Sequence, residues 1–157
     1  MIAATRQKAW AATYRGIFPD EAIDQFDFAW HIARDEARLA KPDFFYYLVM
    51  DGESCVGYLS FGVIPAGSYR DFRFRLQSLY LLPAYQGEGL GRRLMEIAFD
   101  ACREMGFGKL CWDCSPHNTN AVAFYWHIGG RIIDTDTGHE NRQEDGCTFE
   151  YYITKGE

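Results

Sequence analysis

Three alternating glycines mark the segment Gln86-Gly87-Glu88-Gly89-Leu90-Gly91, which follows an apolar run that ends at Pro83. A diphosphate needs several hydrogen-bond donors close together, and a side chain on every residue would hold the backbone too far away. Where such a loop enters a helix, free N–H groups and the positive end of the helix dipole converge. The segment therefore predicts a site for a phosphorylated ligand.

The residues after the glycines distinguish this loop from two other phosphate motifs. No Gly-Lys-Ser/Thr follows, which disfavours a P-loop, and Arg92 stands at the third glycine position of the dinucleotide fingerprint. Glycine-rich turns also end strands for steric reasons alone, so the functional interpretation depends on the surrounding elements.

The elements needed to position the loop can be predicted from periodicity and turn signals. Asp51-Gly52 predicts a hairpin, and Leu90, Leu94, Ile97, Ala101 and Met105 predict the apolar face of a helix after the loop. The expected order is a helix over 3–14, a second helix from 19 and a third helical stretch, separate or continuous with the second, to 39, then strands over 44–50, 55–63 and 72–82, a helix from 90, a strand over 109–114, a helix over 118–128, and strands near 131–134 and 148–154.

Two blocks of the chain resemble a known family. Residues 79–94, LYLLPAYQGEGLGRRL, are similar to the signature of the GNAT superfamily of N-acetyltransferases, whose core pattern is Gln/Arg-x-x-Gly-x-Gly/Ala. Residues 118–129 fit a second pattern of that family, Asn-x-x-Ala-x-x-Phe-Tyr-x-x-x-Gly, and residues 10–17 are similar to its first-helix region. The resemblance covers most of the chain.

The resemblance implies a three-layer α/β/α (α+β) domain whose mixed, mostly antiparallel sheet opens at its centre to admit CoA. Leu79 and Leu81 would pair through their backbone with the pantetheine arm, Asn118 would contact that arm, and Tyr125 would protonate the departing CoA thiolate. The donor would be acetyl-CoA, with no metal required. The pyrophosphate would be held by backbone amides of Gln86, Gly87, Glu88, Gly89, Leu90, Gly91 and Arg92.

The general base is left open by the sequence. An alkylamine is mostly protonated at pH 7, so direct attack on a thioester needs a base or a water relay. Many family members supply a carboxylate from the strand before the loop, whereas this strand has arginine, glutamine and serine at residues 73, 75, 77 and 78. Asp113 could act directly or through water, and Glu21 is an alternative that could instead serve a helix dipole or bind substrate.

Two further departures from the family pattern carry structural expectations. The chain starts almost in its first helix, so the sheet is expected to lack the usual first strand, and the edge left open makes a homodimer a reasonable hypothesis. Gly130 replaces the aromatic residue that commonly follows the glycine at 129, which predicts space near the acyl or acceptor pocket.

Size and composition limit the remaining possibilities. The 157 residues, 48% of them hydrophobic, suit one domain over 1–157, and the net charge of −6 disfavours nucleic acid and fits a cationic substrate better. Five cysteines and no leader pattern predict a reduced, cytoplasmic setting, and no apolar stretch is long enough for a membrane span. Cys111 and Cys114 have Cys-x-x-Cys spacing, but on a strand they would point to opposite faces, which disfavours zinc.

The sequence thus predicts an N-acetyltransferase that moves an acetyl group from acetyl-CoA to a primary amine of a small molecule or peptide. The alternatives are a non-catalytic acyl-CoA-binding or sensing module and, more distantly, a structural homodimer without a cofactor. The acceptor stays open, because fold and donor site do not determine it.

Overall fold

The computed structural model describes residues 1–153. Every element predicted above is present there, with its ends shifted by a few residues, and the predicted strand end at Thr154 lies outside the described residues. The order is α1 (Ile2–Thr13), α2 (Asp20–Asp24), α3 (Phe28–Leu39), β1 (Phe44–Asp51), β2 (Ser54–Val63), β3 (Phe74–Leu81), α4 (Leu90–Glu104), β4 (Lys109–Cys114), α5 (Thr119–His127), β5 (Arg131–Asp136) and β6 (Gly146–Tyr152).

The six strands form one sheet in the order β1-β2-β3-β4-β6-β5, with every neighbouring pair antiparallel except β3 and β4. The parallel pair meets at one register position, Arg75 opposite Cys111. Beyond that position the two strands diverge, so the edge of β3 from Ser78 to Leu81 has no strand partner on the β4 side. The expected mixed, mostly antiparallel sheet with a separated central pair is confirmed.

Helices cover both faces of the sheet, because alternate residues of a strand point to opposite sides. On β2, Leu59 and Phe61 join the main core with Leu94 of α4, whereas Tyr58, the residue before Leu59, faces α1. Helices α1 and α3 pack over β1 to β3, and α4 contacts β3 and β4 on the other face. The first strand of the sheet follows α3, and β1 is an edge strand.

The apolar face predicted for α4 is partly wrong. Leu94 is buried, but Met105 is 38% exposed. The helix has two neighbouring apolar stripes, which differ by a shift of about one residue, or about 100° around the helix axis. Both stripes have the helical period, so periodicity alone could not show which one is buried. Packing against the sheet selected the stripe formed by Leu94, Met95, Ala98, Phe99 and Cys102.

A buried polar cluster fixes α1 against the rest of the domain. The Arg6 guanidinium donates to Asp35 of α3 at 2.8 Å and to the Tyr58 hydroxyl of β2 at 2.7 Å, and its Nη1 lies 3.1 Å from His31 Nδ1. The Tyr46 hydroxyl of β1 also donates to Asp35, at 2.8 Å. Because each buried charge has hydrogen-bonding partners, which offset part of its desolvation cost, the cluster ties α1 to α3 and the sheet.

No helix within residues 1–153 is both long and apolar enough to cross a lipid bilayer.

Candidate active site

The glycine loop connects β3 to α4 and presents unpaired backbone donors. Gly87 and Gly89 have φ of 80° and 84°, in the left-handed region that glycine adopts without strain. Gly89 is the N-cap of α4 and supplies no side-chain cap. Within the described chain, the N–H groups of residues 87–92 have no hydrogen-bond acceptor outside the loop, and a Cβ at either glycine would meet no atom within 4 Å. This open cradle of donors fits a pyrophosphate.

The third glycine has a different role from the one its spacing suggests. Helix α4 begins at Leu90, so Gly91 lies in the first helical turn rather than in the loop. A Cβ at Gly91 would lie 3.2 Å from the Phe124 ring of α5. Gly91 therefore allows α5 to approach the start of α4, which brings the two family-like blocks together.

Gln86 contributes through its side chain. Its amide Nε2 donates to the Leu81 carbonyl at 2.8 Å, and its own N–H donates to the Pro83 carbonyl at 3.2 Å. The expectation that Gln86 offers a free backbone amide is therefore not met, because the turn already uses that N–H. Leu79 pairs with Leu59 of β2, and its other edge faces the gap between β3 and β4.

Tyr125 lies on α5 with only 8% of its surface exposed, and its ring centroid is 5.3 Å from that of Trp112 on β4. Burial raises the pKa of this phenol well above its ordinary value of 10, and the next causes are Cys114 and Tyr14. Within residues 1–153 the fully buried polar side-chain atoms without a hydrogen-bond partner are Ser60 Oγ and Trp112 Nε1, and the Tyr125 hydroxyl is not one of them. A phenol in this environment stays protonated at neutral pH and has a proton to donate.

Asn118 is the N-cap of α5. Its side-chain oxygen accepts a hydrogen bond from the Ala121 N–H at 3.3 Å, as a helix N-cap requires. Burial raises the pKa of Tyr14, and a hydrogen bond with the Asn118 side chain opposes that shift. The cap leaves the Asn118 amide group, rather than its oxygen, to meet a ligand arm.

A cleft of about 420 Å³ lies between the end of α1 and the β4, β5 and β6 strands, and we call it the acceptor-side cleft. Its walls include Tyr14 and Phe18, whose rings stack at 4.2 Å, together with Cys114 and Cys147. Cys114, Tyr14 and Cys147 of this wall also raise the pKa of the Tyr125 phenol, although Tyr125 itself is not among the residues that line the cleft.

Of the two carboxylates predicted as a base, the structure brings one to this cleft. Asp113 lines it with a half-exposed side chain, pairs with Arg75 across the β3–β4 contact, and accepts a hydrogen bond from the Thr148 hydroxyl at 2.8 Å. Glu21 is exposed on α2 and is not among the residues that line the cleft.

The expectation of space beside Gly130 is wrong. A Cβ there would lie 2.9 Å from the Tyr125 carbonyl oxygen, 3.0 Å from the Trp112 ring and 3.1 Å from the Phe149 ring. The indole and the phenyl ring already occupy the volume that an aromatic residue would need. Gly130 is required by close packing and does not enlarge a pocket.

The cysteines meet in a pairing that sequence spacing did not suggest. Cys111 is buried and hydrogen-bonds to the Phe74 carbonyl, whereas Cys114 lies opposite Cys147 of β6. A hydrogen bond from Cys114 lowers the pKa of the Cys147 thiol. All five cysteines are free thiols, and in the described part of the chain no three His, Cys, Asp or Glu side chains form a metal-binding group.

Sequence reasoning missed several residues around Tyr125. Tyr14 and Tyr80 both lie close enough to raise the pKa of its phenol, and His117 bonds to Asp145 at 2.7 Å on the cleft wall. Tyr14 falls in the block 10–17 that resembles the family, so the sequence did mark its segment. No local spacing connects residue 14 with residue 125, however.

The family of the chain follows from comparison with known proteins. Residues 6–129 match the model of the acetyltransferase (GNAT) family. The chain is 34% identical over 100 residues to the uncharacterized N-acetyltransferase YjgM of Escherichia coli, covering 63% of this chain and 58% of that protein. It is 31% identical over 103 residues to the N-alpha-acetyltransferase RimI of Mycobacterium tuberculosis, covering 66% and 62%. The chain thus spans about three fifths of these relatives.

A solved structure shares the fold over nearly the whole chain. The PaiA N-acetyltransferase of Thermoplasma acidophilum, crystallised with coenzyme A, aligns with a TM-score of 0.72 at 20% identity and covers 96% of this chain and 89% of its own. Because the family model spans most of the sequence, the chain belongs to the GNAT family of acetyltransferases.

Proposed function

We propose that this protein transfers an acetyl group from acetyl-CoA to a primary amine of a small molecule or peptide. The amine nitrogen attacks the thioester carbonyl carbon, a C–N bond forms and the C–S bond breaks. Nitrogen gives up a proton and sulfur gains one, so the products are an N-acetyl amine and free CoA thiol. The observation that carries the proposal is the run of backbone N–H groups from Gly87 to Arg92 that have no acceptor outside the loop within the described chain and lie where β3 leads into α4.

The proposed acetyl-CoA site is formed mainly by backbone groups of the glycine loop. Unpaired N–H groups from Gly87 to Arg92 and the start of α4 attract a pyrophosphate, and the unpaired edge of β3 offers Leu79 to an extended pantetheine arm. Gln86 holds the loop against Leu81, so its role is to shape the site rather than to donate from its backbone. Solved family relatives bound to coenzyme A or acetyl-CoA support this donor.

The proton transfers are assigned to two side chains. Tyr125 is protonated and buried, so it is the general acid toward the departing thiolate. Asp113 is the proposed base, because it lines the cleft and is held there by Arg75 and Thr148. An ionised carboxylate accepts the amine proton directly or through one water. No resident metal is needed in this scheme, since orientation and proton transfer supply the chemistry.

One assay tests the proposal against the alternative of an acyl-CoA sensor. The protein is incubated with acetyl-CoA and a panel of amines, and thiol release is followed against a reaction without acceptor. Acceptor-dependent thiol release is the expected result. Thermal stabilisation by CoA without release on any amine would favour the sensor. Neither stabilisation at millimolar CoA nor release would reject both.

Self-association stays a separate prediction. β1 is an edge strand, and Tyr47, Leu48 and Met50 on it are each more than two fifths exposed. An open edge pairs readily with a second strand, which is why a homodimer is expected. Sedimentation showing only monomer at micromolar concentration would contradict it.

A further inference from the structure

Two cysteines face each other across neighbouring strands at the wall of the acceptor-side cleft. Cys114 is the last residue of β4 and lies directly opposite Cys147, the second residue of β6. Residues at opposite positions of an antiparallel pair point to the same face of the sheet. The preceding pair on this face, Trp112 and Phe149, has the same register, and its two rings stack with centroids 5.7 Å apart.

The strands hold the two side chains at a distance that a disulfide can bridge. Opposite Cα atoms of an antiparallel pair lie about 4.5 or 5.5 Å apart, and a disulfide needs a Cα separation of about 4.4–6.8 Å. The Cys147 Sγ leans toward β4, where it lies 3.3 Å from the carbonyl oxygen of Cys114. The register therefore brings together two thiols that are 33 positions apart in the sequence.

The position of this pair differs from that of the other three cysteines. Cys114 and Cys147 both line the acceptor-side cleft, so a small solute that enters the cleft reaches them, whereas the other three cysteines are not among its lining residues. Burial raises the pKa of the Cys102 thiol to about 12 and that of the Cys111 thiol to about 11, which makes both unreactive. Cys55 lies on β2, away from the cleft.

The two thiols of the pair are not equivalent. A hydrogen bond between them lowers the pKa of the Cys147 thiol and raises that of the Cys114 thiol. The thiolate is the reactive form of cysteine toward oxidants. Cys147 is therefore the thiol that reacts first, and Cys114 stands beside it as the thiol that completes a disulfide.

We propose that Cys114 and Cys147 are a redox pair, which hydrogen peroxide converts to a cross-strand disulfide that slows the use of the acceptor amine. The Cys147 thiolate attacks one peroxide oxygen, so that an S–O bond forms, the O–O bond breaks, and the departing hydroxide takes up a proton to become water. The Cys114 sulfur then attacks the Cys147 sulfur, the S–S bond forms, the S–O bond breaks, and the Cys114 proton leaves with hydroxide as a second water. Two thiols are oxidised and one peroxide is reduced.

The effect on the acceptor rests on the proposed acetyl transfer, whereas formation of the disulfide does not. The disulfide would join β4 to β6 in the cleft wall, at the residue that follows Asp113, the proposed base. A misplacement of about 1 Å at an active site can cost about 100-fold in rate, so we expect a loss of about tenfold in kcat/KM for the amine. The Kd for CoA should not change, because the glycine loop belongs to other elements.

Thiol counting and peptide mapping test the disulfide itself. The reduced chain has five free thiols, and wild type treated with a small molar excess of hydrogen peroxide should lose two of them. Peptide mapping should find the peptides of Cys114 and Cys147 joined, and dithiothreitol should restore all five thiols. A disulfide between other cysteines, or no disulfide, would overturn the redox pair.

Single variants test the order of the two steps. In Cys114→Ala the oxidation should stop at a sulfenic acid on Cys147, which dimedone labels, whereas in Cys147→Ala the Cys114 thiol should stay reduced. Cys55→Ala is the matched control and should form the same disulfide as wild type. Failure of Cys114→Ala to take up dimedone at Cys147 would contradict the assigned order, and this readout decides it even where Cys147→Ala does not fold.

Turnover with an amine tests the effect on the acceptor. In wild type, kcat/KM for the amine should fall by about tenfold after peroxide treatment and recover with dithiothreitol, whereas peroxide should change it little in Cys147→Ala. An unchanged kcat/KM in the disulfide-bonded wild type would overturn this effect. If no amine is acetylated at all, the proposed function fails and the effect on the acceptor fails with it, while the mapped disulfide still decides the redox pair.

Discussion

The donor loop and the acceptor-side cleft are built in opposite ways. The loop uses consecutive residues and their backbone N–H groups, with Gly87 and Gly89 supplying the conformation. The cleft uses side chains from the end of α1 and from three strands, so that Tyr14 and Thr148 lie on one surface. A site made of contiguous backbone follows from local sequence, whereas a site made of distant side chains depends on how the sheet is ordered.

The two regions also differ in charge. The loop offers the positive end of α4 and is followed by Arg92 and Arg93, whereas every charged residue that lines the cleft is a carboxylate. A polyanionic donor would therefore approach from the side of the loop rather than from the cleft. The loop and the cleft need not touch each other for this difference in charge to act, since only the gap between β3 and β4 connects them.

Tyr125 is the proposed general acid, and the loss of its hydroxyl should have the largest effect. Tyr125→Phe should lower kcat by about 100-fold or more, since a general acid typically contributes at least that factor. The Kd for CoA should change little, because the ring and its packing against Trp112 remain. Stopped assays of thiol release and calorimetric CoA binding measure the two quantities, and an unchanged kcat would reject Tyr125 as the acid.

A substitution of Asp113 tests whether the acceptor-side cleft supplies the general base. Asp113→Asn keeps the side-chain shape but removes the proton acceptor, so kcat/KM should fall by about 10-fold or more. The fall should be smaller than for a base whose role water cannot take over.

Arg75→Gln is the control for that variant, since it breaks the same ion pair and leaves the carboxylate in place. If both variants lose the same activity, Asp113 only holds Arg75 and another group is the base.

A substitution of Gly89 tests whether the glycine loop binds CoA. Gly89→Ala forces a residue with a Cβ to φ of 84°, which costs about 1–2 kcal/mol or shifts the loop. We expect CoA affinity to fall by about 10-fold. Gly106 at the other end of α4 has φ of 83° and equally open surroundings, so Gly106→Ala should lose similar stability without weakening CoA binding. Loss of CoA affinity in both would refute a specific role for the loop.

Gly130 should give the smallest effect on turnover, because it supports the wall behind Tyr125 without lining the cleft. Gly130→Ala inserts a methyl group among Trp112, Phe149 and a backbone carbonyl, which should lower the free energy of unfolding by about 1–3 kcal/mol. Gly108→Ala meets no atom within 4 Å and should change stability by less than about 0.5 kcal/mol. Denaturant titration distinguishes them, and equal stability would contradict the packing account.

The order of helices and strands was predictable because periodicity and turn residues act locally. Asp51-Gly52 forms the predicted β1–β2 hairpin, and β4 has the predicted bounds Lys109–Cys114. Which stripe of α4 is buried was not predictable, since two adjacent stripes are apolar and only the sheet beneath the helix discriminates between them. The same limit explains Gly130, whose neighbours come from β4 and β6.

The sequence by itself determined the family, the donor loop and the position of Tyr125 on a helix, because these depend on residue types at short, fixed spacings. The tertiary structure decided which side chains surround that phenol. Parallel pairing of β3 with β4 and insertion of β6 beside β4 bring Cys114, Cys147 and Asp113 to one cleft with Tyr14. Tyr14 lies about one hundred or more positions from the other three residues, and no local pattern encodes such contacts.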